Sequence, residues 1–272
     1  MTTPFRFAPV PLGRAPRLTD AEADVPKALR KNQLAKRTDA LLARIATLSE
    51  ALYAERTRSL LVVLQGRDGC GKDGVVKHVL GAVHPQGLAI TAFGPPTDLE
   101  RRHDYLWRVD NAVPPAGMIG VFNRSHYESV LVERVRELAP RRAWSVRYRQ
   151  INDFERRLSE NGVVVLKFML HVSHDEQRKR FLERLHEPLK NWKLQEGDLE
   201  DRDRWTGYTR AYRDALRKCN TRWARWWVVP ADSKSVRNYL VAKVVCDALQ
   251  WMKPEYPLAS KRLRKLVRKR LG

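Results

Sequence analysis

The segment Gly66-Arg67-Asp68-Gly69-Cys70-Gly71-Lys72-Asp73-Gly74 holds the spacing G-x-x-x-x-G-K, a glycine-rich turn whose backbone N–H groups can cradle phosphate oxygens while the lysine adds a point charge. Glycine is needed where the backbone curls around an anion, and a following helix adds its positive end to the same charge. Gly66, Gly69, Gly71, Lys72, Asp73 and Gly74 are therefore candidate phosphate-binding positions. Gly69, Gly71 and Gly74 also fit G-x-G-x-x-G, the pattern of dinucleotide-binding turns. That pattern expects an acid about 20 residues further on, at the end of the next strand. The chain offers Thr91, Ala92 and Phe93 there, so the lysine and the missing acid favour phosphoryl transfer.

The loop departs from the usual form at Asp73, where most enzymes with such a loop place a Ser or Thr hydroxyl that helps to hold magnesium. Asp68, inside the loop, is the obvious substitute, because magnesium prefers oxygen ligands and keeps several waters. A second polar cluster, Phe122-Asn123-Arg124-Ser125-His126-Tyr127-Glu128, follows a later apolar run. Asn123 stands where a metal-binding aspartate is expected, and Glu128, one helical turn on, supplies negative charge. Asp68, Asn123 and Glu128 are the candidate metal ligands.

These groups need strands to carry them. Leu60 to Gln65 (LLVVLQ) is a short apolar run of the kind buried on both faces of a sheet, and it leads directly into the glycine turn. Before it, Leu34, Leu41, Leu42, Ile45, Leu48 and Leu52 share one helical face, predicting a long amphipathic helix to about Tyr53. After it the pattern alternates: a helix over VVKHVLGAV, a strand over 88–92, a helix over 98–109, a strand over 118–122, helices over 127–136 and 143–161, strands over 163–170 and 226–230, and a final helix through Met252. Five strands separated by helices imply an α/β fold with a parallel sheet and helices on both faces. Residues 174–219 interleave Arg178, Lys179, Arg180, Arg184, Lys190 and Lys193 with acids, which suits either a mobile arginine-bearing lid or a solvated helical hairpin. Residues 1–28, with Pro4, Pro9, Pro11, Pro16 and Pro26, read as an extended arm, 29–257 as one domain, and 258–272 as a basic tail.

The chain has 272 residues and a formal net charge of +21, which attracts polyanions. Lys261, Arg262, Arg264, Lys265, Arg268, Lys269 and Arg270 lie in the tail with no acid after Glu255, and removing those seven charges still leaves the rest at +14. Nucleic acid, anionic lipid, nucleotides and polyphosphate are all compatible with that charge. No apolar stretch reaches the roughly 18 residues of a membrane span, and the first residues lack a signal-peptide core. A cytoplasmic protein without a membrane partner is expected. Cys70, Cys219 and Cys246 have neither disulfide nor zinc spacing. Trp223, Trp226 and Trp227 crowd the last strand, so core packing or a subunit contact explains them better than base stacking, against a nucleic-acid-binding reading.

The sequence resembles polyphosphate kinase family 2. Its form G-x-D-x-x-G-K-x-G is met by Gly66, Asp68, Gly71, Lys72 and Gly74, and its second motif by Asn123-Arg124-Ser125-His126-Tyr127-Glu128. Further matches are Phe93-Gly94-Pro95-Pro96-Thr97, Asp104-Tyr105-Leu106-Trp107-Arg108, Lys167-Phe168-Met169-Leu170-His171, Glu176-Gln177-Arg178-Lys179-Arg180, Trp192-Lys193 and Gly197-Asp198-Leu199. The likeness spans about 52–252. In this family the second motif usually begins with Asp and has Asn five residues later. The swapped Asn123 and Glu128 resemble the subclass that accepts both nucleoside mono- and diphosphates.

The resemblance implies a thymidylate-kinase-like P-loop fold with a helical lid, dependence on magnesium or manganese, and a homo-oligomer. It also implies reversible transfer from polyphosphate to AMP and ADP. By motif, Asp68 is the metal-binding and catalytic carboxylate, assisted by Glu128. Lys72 and Arg124 bind the reacting phosphates, and Arg180 with Arg184 forms the lid clamp, with Lys193 also binding phosphate. An ATP-dependent nucleoside monophosphate kinase would share fold, loop and lid, and is weakened by the absent Ser or Thr after Lys72. The acceptor phosphate is already ionised, so His126 is expected to pack or to orient a carboxylate. Cys70, where the family usually has Gly or Ala, is either a small residue that fits or a thiol activated by the helix end. In the tail, Leu263, Leu266, Val267 and Leu271 are expected to pack on the body, the alternative being a tether for polyphosphate.

Overall fold

The computed structural model describes residues 7–30 and 33–272, so the start of the proline-bearing arm, Pro4 included, lies outside the described residues. The chain begins with α1 (Asp20–Ala23) and α2 (Leu34–Glu55), then enters β1 (Ser59–Gln65). Every residue of β1 is buried, because it is the middle strand of a five-stranded, all-parallel sheet in the order β2-β3-β1-β4-β5. The remaining strands are β2 (Leu88–Ala92), β3 (Ile119–Asn123), β4 (Val163–His171) and β5 (Trp226–Pro230).

The period-two alternation of β1 divides the core. Leu60, Val62 and Leu64 face one side with α2, α3 (Lys72–His78) and α10 (Lys234–Met252). Leu61 and Val63 face the other with α6 (Arg141–Glu160) and α9 (Trp205–Lys218). The predicted sheet with helices on both faces is therefore the observed one.

Two expected helices differ from the sequence reading. The expected helix over 98–109 is a 3-10 turn (Glu100–Arg102) and a single helical turn, α4 (Trp107–Asp110). Asp104 separates them, since its Oδ1 accepts the Leu106 N–H at 2.9 Å, a local bond that competes with the helical ladder. The helix over 127–136 is likewise a 3-10 turn (His126–Ser129) followed by α5 (Val132–Val135). Ser125 starts the turn by accepting the Tyr127 N–H at 3.2 Å.

The arm is anchored along the sheet edge and includes a helical turn. Val10 N–H donates to Trp226 O at 2.8 Å, Asn220 Nδ2 donates to Val10 O at 2.8 Å, and Leu18 and Ala23 are buried. The open backbone of β5, an edge strand, is partly covered in this way. Trp226 is buried edge-to-face against Tyr127, and Trp227 packs beside Phe7.

Residues 174–219 fold as α7 (His174–His186), a 3-10 segment (Pro188–Lys193), α8 (Glu196–Asp203) and α9. The tail forms α11 (Lys261–Leu271), which buries no residue. Leu263, Leu266, Val267 and Leu271 are 49%, 42%, 46% and 84% exposed, so the expected packing on the body does not occur.

Candidate active site

Strand pairing brings the two motifs together. Leu64 pairs with Asn123 across β1 and β3, and Arg124 N–H donates to Leu64 O at 3.1 Å. The loop after β1 and the turn after β3 thus share the carboxyl end of the sheet, where open α/β sheets bind ligands. Two glycines of the loop are sterically required. A Cβ on Gly66 would approach Leu170 O to 2.5 Å, and one on Gly71, at φ +94°, would overlap Arg237 Nη1 at 1.9 Å.

At the centre, Arg124 Nη2 donates to Asp68 Oδ1 at 2.7 Å, and Lys72 Nζ lies 3.9 Å from the same oxygen. Burial pushes the Asp68 carboxyl upward, but Lys72 and Arg124 outweigh it and hold the group below its ordinary range. Glu128 has the opposite balance: desolvation raises it, only partly opposed by Arg124 and Lys72. Its nearest described cation, Arg124 Nη1, is 3.9 Å away. Lys72 Nζ donates to Gly66 O at 2.7 Å and so braces the loop across its mouth. Arg124 itself adopts a left-handed backbone, φ +61°, a strained conformation for a non-glycine residue that directs the guanidinium back over the loop.

Asn123 does not point at Asp68. Its Nδ2 donates to Asp73 Oδ1 at 2.9 Å, and Lys193 Nζ approaches Asp73 Oδ2 at 3.9 Å. The two departures from the usual P-loop pattern, Asp73 and Asn123, are therefore partners, since an aspartate at 123 would set two carboxylates against each other. Arg184 Nη1 donates to Lys193 O at 3.2 Å and lies 3.8 Å from Asp198 Oδ2.

Arg180 is placed differently from the expected clamp. It is buried, with Nη1 donating to Gly69 O at 2.8 Å, Nη2 to Ala231 O and Asp232 O at 2.7 Å each, and Nε to Glu176 Oε1 at 2.8 Å. These donors are committed to holding the loop against α7 and the end of β5, whereas Arg184 and Lys193 line a trough beside the loop. Arg180→Ala is expected to destabilise the protein by about 3 kcal/mol, through orphaned buried carbonyls and an unpaired Glu176. Urea denaturation checks this; unchanged stability with impaired turnover would return Arg180 to the role of a clamp.

The sequence did not single out Arg67 or Arg237. Arg67, 7% exposed, stacks 3.8 Å over the Trp205 ring, and its Nη2 donates to Trp205 O at 3.2 Å and Thr209 Oγ1 at 2.5 Å. The phosphate loop is thereby tied to α9. Arg237, from α10, lies under Gly71 and Gly74 and donates to Cys70 O at 3.4 Å. Burial draws both guanidinium groups down to about 10, which still leaves them cationic at neutral pH. Cys70 is fully buried in the core beside Val75, as a small packing residue closed to solvent. His126 is buried with Nε2 3.4 Å from Glu155 Oε1, and burial keeps it neutral to lower pH than usual.

Two spaces adjoin the loop. A trough of about 750 Å³ is lined by Lys77, Arg180, Arg184, Lys190, Lys193, Lys234 and Arg237, with Asp39, Asp73 and Glu183 as its acids. A cavity of about 30 Å³ lies between Asp68, Arg124 and Glu128 and reaches Tyr208 and Tyr212 of α9, room for about one water molecule or small ion. Among the described residues no three His, Cys, Asp or Glu converge as a ready-made metal cage. That fits magnesium, which usually takes one or two carboxylates together with substrate phosphates and waters. Asp68 and Glu128 are the two carboxylates that border the small cavity.

A phosphate loop at the carboxyl end of a parallel sheet ordered 2-3-1-4-5, with a second motif after the neighbouring strand and a helical segment above, makes this a P-loop kinase-like fold. The polyphosphate kinase 2 (PPK2) family profile matches residues 28–257, and the chain belongs to that family. It is 46% identical over 224 residues to an AMP/ADP-polyphosphate phosphotransferase of Meiothermus ruber, covering 82% of this chain and 84% of the relative. An ADP-polyphosphate phosphotransferase of Rhodopseudomonas palustris is 41% identical over 226 residues, 79% of this chain and 78% of the relative. The crystal structure of polyphosphate kinase 2 from Arthrobacter aurescens TC1 superposes with a TM-score of 0.83 at 40% identity, covering 96% of this chain and 99% of that one.

Proposed function

We propose that this protein transfers terminal phosphoryl groups from inorganic polyphosphate to nucleoside mono- and diphosphates, converting AMP to ADP and ADP to ATP reversibly with Mg²⁺. The observation that carries the reading is the trough: seven Lys and Arg residues line a channel of about 750 Å³ that runs to the phosphate loop. A repeating polyanion matches such a surface, because each successive phosphate meets a cation without base-specific contacts. Family membership and the two relatives named for AMP or ADP with polyphosphate support the same donor and acceptors.

Phosphoryl transfer asks a protein chiefly for in-line positioning and charge stabilisation. The backbone of residues 66–74 cradles the donor phosphate, and Lys72 and Arg124 lie on either side of Asp68 to neutralise charge as it spreads over the transferred group. Asp68 fixes Arg124 in place, and Asp68 with Glu128 would hold the metal ion. A Mg²⁺ ion there would supply Lewis-acid charge to the phosphate oxygens. Arg184 and Lys193 bring further positive charge from the lid segment. The acceptor is an ionised phosphate, so no side chain needs to remove a proton, and His126 stays beneath the turn as a packing group.

The test is product formation from AMP and, separately, ADP, with long-chain polyphosphate and Mg²⁺, without added ATP. The wild type should yield ADP and ATP, and Lys72→Ala should lose most of both. Inactivity with polyphosphate, together with turnover of AMP by ATP, would overturn the proposal in favour of an ordinary nucleoside monophosphate kinase.

A further inference from the structure

Helix α11 carries an apolar strip that no described part of the protein covers. Leu263, Leu266, Val267 and Leu271 recur at i, i+3, i+4 and i+8, which places them on one side of a helix. Arg270 falls within that side, where its long stem can lie along apolar surface with the charge at the edge. Lys261, Arg262, Arg264, Lys265, Arg268 and Lys269 occupy the remainder. The helix has a defined start, with Ser260 Oγ accepting the Leu263 N–H at 3.1 Å. Just ahead of it Trp251, Tyr256 and Leu258 are also exposed, at 73%, 52% and 85%.

Three occupants would suit a cationic helix, and the two-sided character separates them. Polyphosphate would neutralise the cations and leave the apolar side in water. A second copy of this chain would have to receive seven cations on a body that itself carries +14. An anionic lipid surface takes both sides at once: apolar side chains enter the boundary between headgroups and acyl chains while Lys and Arg meet the lipid phosphates. Exposed Trp and Tyr at the approach suit the same boundary.

We propose that α11 docks this protein peripherally on anionic bilayers. No helix among the described residues is long and apolar enough to cross a membrane, and none is needed, because an amphipathic helix lies in the interface. The sequence reading set membranes aside for want of a span. The uncovered strip on α11 points instead to a contact at the surface of a bilayer.

Vesicle flotation tests it, using phosphatidylcholine alone and phosphatidylcholine mixed with phosphatidylglycerol at physiological ionic strength. Three proteins are compared: the full chain, a chain ending at Ala259, and a triple variant Leu263→Gln, Leu266→Gln, Val267→Gln that keeps every cation. The full chain should float only with the anionic vesicles, and both altered chains should float at least about tenfold less. Transfer to AMP in solution should be unchanged in all three, which also reports that they fold.

Equal flotation of the shortened chain would overturn the proposal by moving the binding to the basic body. Equal flotation of the triple variant would overturn it too, since cations alone would then suffice. A full chain that stays unbound would overturn it in favour of one of the other occupants. A higher KM for long polyphosphate in the shortened chain would then identify polyphosphate, and a smaller assembly by light scattering would identify a second copy.

Discussion

Replacing Lys167 with methionine is expected to destabilise the protein by about 3–5 kcal/mol, a large part of the roughly 5–15 kcal/mol that holds a typical domain together. Lys167 projects from β4, paired to β1 at Val63 and to β5 at Trp226, and is completely buried. An ammonium group has three protons to donate, and all three are used: Nζ reaches Glu155 Oε2 at 2.6 Å, Cys219 O at 2.6 Å and Tyr127 Oη at 2.8 Å. Tyr127 passes its own proton to Glu155 Oε1 at 2.8 Å. One cluster thus ties α6, the turn that carries Glu128 and the end of α9 to the sheet. Without the lysine, Glu155 is a buried carboxylate with no strong partner, which is why removing one member costs so much. Lys167→Met combined with Glu155→Leu should regain most of the loss, because the uncompensated charge is gone.

The sign of the pH dependence provides a second reading of the same cluster. Burial alone would raise Glu155, but Lys167 and His126 outweigh it and hold the carboxyl below its ordinary 4.5. A folded-state value below the unfolded one contributes stability above pH 4.5 that is lost as the pH falls through the folded value. The wild type should therefore lose stability on acidification below that point. In Lys167→Met the balance reverses: desolvation acts unopposed by the lysine, and the folded cluster binds a proton more tightly than the unfolded chain. Whether that proton rests on Glu155 or on His126, the deficit of the variant should shrink from pH 8 to pH 5 on the same urea scale. A deficit independent of pH would show that Lys167 acts by packing rather than by charge.

The chemistry was legible where it is local. Residues 66–74 and 123–128 are contiguous, and each follows a short apolar run, so the loop, the second motif and the parallel sheet could be read from spacing alone. Contacts made across the chain could not. Arg237 reaches the loop from 167 residues away, and nothing in the start of α10 distinguishes it from a solvated arginine. Arg180 and Arg184 are equivalent on paper, one helical turn apart. Only the fold shows that the first is spent on the carbonyls of Gly69, Ala231 and Asp232 while the second stays beside Lys193. The helices expected over 98–109 and 127–136 break into short turns because side-chain bonds from Asp104 and Ser125 interrupt the ladder, a competition that apolar periodicity does not register. In the tail, the apolar residues were expected to pack on the body, and the helix they form there leaves them exposed.

Asp68→Asn and Glu128→Gln are each expected to lower kcat for AMP with polyphosphate by about 10²–10³, the usual cost of removing one preorganised charge at a phosphoryl or acyl site. Neither change should unfold the protein, since both side chains border the small cavity at the loop and neither anchors a core strand. The two losses should not multiply. Asp68 and Glu128 flank Arg124 at 2.7 Å and 3.9 Å and face the same space of about 30 Å³, so one ion would be held by both, and losing either ligand forfeits most of what the pair achieves. The double variant should accordingly be little worse than Asp68→Asn, and the Mg²⁺ needed for half-maximal rate should rise in both single variants. Asp68→Asn should show the larger fall, because it also releases Arg124 from its 2.7 Å contact. Fully multiplicative losses with an unchanged Mg²⁺ requirement in Glu128→Gln would remove Glu128 from the metal site and leave it a positioning group for Arg124.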